Sequence, residues 1–106
     1  MPSKYLLKTH SLIASQDLPI LPASFQQALV DICQAVLTVD PYNCLGLPNH
    51  SLKGKLKHYR AIELDWEGEC YRLVYRIYET PSPKRVLVLS IGEHDAAYER
   101  AQDRRV

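Results

Sequence analysis

The chain has 106 residues, 46% of them hydrophobic and 24% charged, with a formal net charge of +1. That composition argues against intrinsic disorder and fits one domain, residues 1–106, with one modest core. No stretch approaches the ~18 consecutive apolar residues of a membrane helix, and Met1–Leu7 lacks the apolar run of a secretory signal, so a cytoplasmic protein with no membrane partner is expected.

In chain order, residues 4–8 read as a first strand, and Pro19 and Pro22 punctuate the segment after it. From Ser24 the period becomes helical: Phe25, Leu29, Ile32 and Val36 form one apolar stripe, widened by Ala28 and Cys33. Ser24 and Gln27 fit a capping box. Pro41 disfavours helical geometry at Asp40, which predicts a helix end near Val39. Residues 41–55, with Pro41, Asn43, Gly46, Pro48, Asn49 and Gly54, read as loop.

A strand over 58–66, a turn at Glu67-Gly68-Glu69 and a strand over 70–78 come next. In the second strand Tyr71, Leu73, Tyr75 and Ile77 share one face, and Arg72, Val74, Arg76 and Tyr78 the other. Thr80–Pro83 makes a turn, and Val86–Ile91 is apolar apart from Ser90, as in a strand covered on both sides. Asp95–Arg105 fits a short terminal helix with Asp95 at its positive end. The predicted class is α+β: an N-terminal strand, one or two helices, a three-stranded antiparallel meander and a C-terminal helix, with the long helix on one sheet face and the other face left for polar residues.

The charge is uneven. Residues 1–49 carry net −1 and residues 50–106 net +2. Lys53, Lys55, Lys57 and Arg60 lie together with no acid among 50–60, and Glu63, Asp65, Glu67 and Glu69 then occur with no base between them. Lys53, Lys55 and Lys57 alternate with Leu52, Gly54 and Leu56. In an extended segment all three would point one way, either toward nucleic-acid phosphate or as a solvated edge. Cys33, Cys44 and Cys70 show no CxxC spacing and read as structural thiols, with no metal site.

Ser51-Leu52-Lys53-Gly54-Lys55-Leu56, Tyr59-Arg60, Tyr71-Arg72-Leu73-Val74-Tyr75, and Ser90-Ile91-Gly92 with His94 and Tyr98 beyond it, resemble the RelE/ParE family, toxins of type II toxin–antitoxin systems. The resemblance spans the whole element order, with its motifs in residues 51–101. It implies a compact α+β toxin neutralised by a cognate antitoxin, and operator DNA bound only through that antitoxin. The RelE branch cuts mRNA on the ribosome without metal or cofactor, whereas the ParE branch inhibits DNA gyrase without being an enzyme. A degenerate toxin kept for antitoxin and operator binding is a third form.

Cleavage by the ribose 2′-OH needs a base, an acid and positive charge for the phosphorane. The resemblance assigns these tasks to Arg72 as phosphate fork, Arg60, His94 and Tyr98, with Lys53, Lys55 and Lys57 binding RNA. A histidine can serve as acid or base near neutral pH, and Tyr98, one helical turn beyond His94, can stack on a base or take part in proton transfer. The chain departs from the nuclease pattern in two places. Ile62 or Glu63 stands where a second basic residue is expected, and Glu93 comes directly after Gly92.

Overall fold

The computed structural model describes residues 4–105, so the start of the Met1–Leu7 segment and Val106 lie outside it. Strand β1 (Leu6–Thr9) leads through two short helical turns, Ile13–Asp17 and Leu18–Ile20, into α1 (Ala23–Ile32). A wide turn, Cys33–Leu37, prolongs α1, and the chain leaves helical geometry before Pro41 as the sequence predicts. Then come β2 (Asn49–Ser51), β3 (Tyr59–Trp66), β4 (Glu69–Tyr78), β5 (Arg85–Glu93) and α2 (His94–Arg104). No helix among the described residues is long and apolar enough to cross a membrane.

The α+β class holds, but the meander is enlarged at both edges. The sheet has five strands in the order β1-β5-β4-β3-β2. β1 joins β5 in parallel, and β2, inside the segment read as loop, pairs antiparallel with β3. The β3–β4 connection is a two-residue hairpin in which Glu67 (φ 49°) and Gly68 (φ 84°) both take left-handed geometry. Such geometry matches the twist of the flanking strands.

The capping box does not form. Pro22 precedes the first turn of α1, its carbonyl accepting the Phe25 and Gln26 amides. Gln26 donates to the Leu21 carbonyl at 3.0 Å, and Gln27 to Asp31 at 3.2 Å. Ser24 thus lies inside the first turn rather than at the cap.

Phe25, Leu29, Cys33 and Leu37 pack with Ile62, Leu64, Leu73, Tyr75, Val86 and Val88 on one sheet face. There burial pushes the Cys33 thiol up to about 12. The buried Tyr75 hydroxyl donates to the Pro41 carbonyl at 2.6 Å, tying the loop to the core. The opposite face is less open than predicted. Ala97 and Ala101 of α2 close a second cluster with Leu56, Tyr59, Val74 and Leu89, and Ser90 turns into this interface to donate to the Ala97 carbonyl at 2.7 Å.

α2 is also held by charge. The fully buried Asp17 carboxylate accepts both terminal nitrogens of Arg104, at 2.9 and 2.8 Å, and the Ile91 amide at 2.8 Å. Arg104 also donates to the Leu89 carbonyl and Gln16. This network joins the N-terminal turn, β5 and α2, and it satisfies the buried charges that such a pair requires.

Candidate active site

Period-2 alternation and the strand register decide which candidates meet. Arg72 on β4 lies opposite Glu63 on β3 and Gly92 on β5. Gly92 lets the first turn of α2 fold back closely, because a Cβ there would come within 3.0 Å of Arg100 Nη1 and 3.7 Å of the Ala97 amide nitrogen. α2 therefore begins directly beside Arg72, with His94 as its first residue and Asp95 in its first turn. The positive end of the helix adds to the positive field there.

Arg72 is largely buried and fully engaged at its tip. Nη2 meets Glu63 Oε1 at 2.9 Å, and Nη1 donates to Cys70 Sγ at 2.7 Å and the Tyr71 carbonyl at 3.2 Å. Nε is buried without an acceptor. Burial by itself would lower the guanidinium pKa, but Cys70, the Glu63 charge and a hydrogen bond with Tyr98 outweigh it and hold Arg72 above its ordinary range. The expectation of three structural thiols fits only two of them. Cys33 and Cys44 are buried, whereas Cys70 is exposed and touches Arg72.

Tyr98 links the remaining groups. Its ring meets His94 edge-on, with centroids 4.6 Å apart and planes at 83°. Its hydroxyl lies 3.4 Å from His50 Nε2, across the gap between α2 and β2. His94 Nδ1 is 2.9 Å from Asp95 Oδ1. His50, Ser51, Leu52, Lys53, Leu56, His94, Tyr98 and Gln102 wall an open cleft of about 450 Å³. Tyr98 thus touches both Arg72 and His94, while Arg72 itself does not line the cleft.

Arg60 is not part of this cluster. It lies opposite Tyr75, on the face of the sheet turned to α1. There it donates to the Tyr42 carbonyl at 3.0 Å and Asn49 Oδ1 at 2.7 Å, anchoring the 41–49 loop. Arg60 and Glu63 are three positions apart along one strand, an odd offset that places the two side chains on opposite faces. The lysines also divide. Gly54–Leu56 forms a tight helical turn instead of an extended run, so Lys53 lines the cleft while Lys55 sits on the turn, its carbonyl bound by Arg105 at 3.0 Å. Lys57 is exposed just beyond the turn.

Three participants carry no clear signal in the sequence. His50 sits in a strand without β patterning, although it directly precedes the Ser51-Leu52-Lys53 motif. Glu63 emerges as the ion partner of Arg72, and Cys70 as a neighbour two residues away on the same strand face. Among the described residues no cluster of three or more His, Cys, Asp or Glu is placed to hold a metal ion.

No family model matches the sequence, and no curated protein matches it. Solved structures do resemble the chain. An arginine-to-alanine double mutant of the E. coli toxin RelE in the free state matches with a TM-score of 0.66 at 19% identity, over 97% of this chain and 99% of that one. A YoeB/ParE toxin from Agrobacterium tumefaciens matches with a TM-score of 0.58 at 21% identity, over 84% and 98%. The five-stranded sheet, the helix on its first face and α2 on its second are therefore a RelE/ParE-type toxin fold.

Proposed function

We propose that the protein is the toxin of a toxin–antitoxin module and that it cleaves mRNA on the ribosome, in the cytoplasm, under the control of a cognate antitoxin through which alone it reaches operator DNA. The observation that carries this reading is the convergence of His94, Tyr98 and His50 on one cleft that also holds Lys53, with Arg72 behind it and joined to it through Tyr98.

In the tautomer that donates Nδ1–H to Asp95, His94 keeps its Nε2 lone pair free to take the 2′-OH proton. The ribose oxygen attacks the adjacent phosphorus, and the P–O5′ bond breaks. His50, as imidazolium, returns a proton to the leaving 5′-oxygen. Each positioned proton transfer of this kind is worth roughly 10²–10⁴-fold. Lys53 and Arg72 face the developing phosphorane charge, Arg72 exchanging its bond to Glu63 for a phosphate oxygen. The products are a 2′,3′-cyclic phosphate and a 5′-hydroxyl, and the chemistry asks for no metal or cofactor.

A second reading has one observation in its favour. Both terminal nitrogens of Arg72 already have partners, one of them a carboxylate, which suits a gyrase inhibitor or a binding-only toxin. Inducible expression with primer extension on total RNA separates the readings. Growth arrest with cuts inside translated codons is expected for the native protein and for Arg60→Ala. Both effects are expected to disappear in Arg72→Ala and His94→Ala at matched soluble expression. Arrest with intact message would move the assignment to gyrase, and no arrest to a binding-only role.

A further inference from the structure

β2 covers only part of its neighbour. Its ladder to β3 spans Arg60–Ile62, and the Glu63 amide to the Pro48 carbonyl, at 2.9 Å, is the last link. Alternation turns the backbone groups of Tyr59, Ala61, Glu63 and Asp65 to this side, as the bond from the Leu52 amide to the Tyr59 carbonyl confirms at the other end. The Glu63 carbonyl and the Asp65 amide and carbonyl therefore face past the end of β2, where no strand among the described residues pairs with them.

Beside this bare edge lies a groove of about 460 Å³ whose apolar walls include Phe25, Ile32, Leu47, Leu64 and Trp66. The indole N–H of Trp66 is buried there without an acceptor. The other face of the same edge is acidic. Asp65 lies there with Glu67 on the adjoining hairpin turn, both exposed and without an ion pair among the described residues, and Glu63 adds a third acid, engaged with Arg72. Exposed edges are commonly blunted by lysine, proline or a covering element, and this one has none of these over Leu64–Trp66.

We propose that the Leu64–Trp66 edge of β3 receives an extended peptide segment of a partner protein as an added strand, with alternate residues apolar and basic. Main-chain bonds to Asp65 supply the pairing, and apolar residues of the segment enter the groove on the α1 side. Its Lys or Arg residues meet Asp65 and Glu67 on the other face. The charge makes the choice of occupant: the acidic rim repels nucleic acid and selects a basic strand. This inference stands apart from the chemistry assigned to the cleft.

The test is to pan a displayed library of short random peptides against the full chain, then to titrate labelled winners. Alternating apolar–basic peptides are expected to be enriched, with the Asp65 amide protected from deuterium exchange on binding. Asp65→Pro removes the outward amide while keeping the ladder to β4, as proline on an edge permits, and is expected to weaken binding more than about tenfold. The double variant Asp65→Lys, Glu67→Lys should reject basic winners and accept their acidic counterparts. This double variant, with the exchange readout, decides the matter if Asp65→Pro fails to fold. Peptides without the alternating pattern, or winners that bind Asp65→Pro as tightly as the native chain, would overturn the proposal. So would a concentration-dependent dimer of the free protein abolished by Asp65→Pro, since the occupant would then be a second copy.

Discussion

Arg72 is both the best placed cation for phosphate and the most constrained one. Its guanidinium is held by Glu63 and Cys70 in a single orientation, which preorganises the fork but sets a carboxylate in competition with any phosphate. Glu63 is 39% exposed, and ion pairs at such exposure contribute only about 0.2–1 kcal/mol. The competition is therefore weak enough for a substrate to win. Glu63→Gln keeps a hydrogen-bond acceptor while removing the charge, and it is expected to raise single-turnover cleavage of ribosome-bound message by about 1.4- to fivefold, the kinetic equivalent of that energy. An unchanged or lower rate in a folded Glu63→Gln protein would mean that the carboxylate positions Arg72 rather than opposing it.

At the scale of elements, β4 and the α1 stripe are legible in the sequence because each carries its own period, and β5 because it is a nearly unbroken apolar run, as a strand covered on both faces must be. β2 is hidden. Asn49-His50-Ser51 has neither alternation nor β propensity, so its strand conformation comes from the edge of β3 beside it. His50 is hidden with it, as half of the proposed acid–base pair. Arg60 misleads for a different reason: its chemistry suits the site, but a cross-strand register cannot be read from one strand, and only the pairing of Arg60 with Tyr75 and Glu63 with Arg72 separates the faces.

The anchoring of α2 is likewise beyond local reading, because Asp17 and Arg104 are 87 positions apart. Removing one partner from a buried pair leaves the other charge uncompensated, which typically costs roughly 3–5 kcal/mol. Asp17→Asn should therefore lower stability to denaturant by that order. The double change Asp17→Leu, Arg104→Met should recover most of the loss, since apolar pairs of similar volume replace buried ion pairs with little penalty. A loss below about 1 kcal/mol for Asp17→Asn would place the docking of α2 on Ala97 and Ala101 packing instead.

Across the whole molecule, a net charge of +1 conceals two surfaces of opposite sign. The cleft side presents Lys53 and the positive end of α2, whereas the hairpin side presents Asp65, Glu67 and Glu69. A protein of this charge cannot coat a polyanion. The RNA cleavage proposed above would therefore use few phosphate contacts, chiefly through Lys53 and Arg72, because Lys55 and Lys57 do not line the cleft. Counterion release from single-stranded RNA contributes a slope of about −0.7 per phosphate in log K against log salt. Two contacts therefore predict a slope of only about −1.4 for binding a short single strand. Lys53→Ala should reduce the slope by about 0.7, while Lys55→Ala and Lys57→Ala leave it unchanged. Equal effects from all three lysines would show that RNA tracks the outer turn, Gly54–Leu56, rather than the cleft, and would relocate the phosphate path away from His50 and His94.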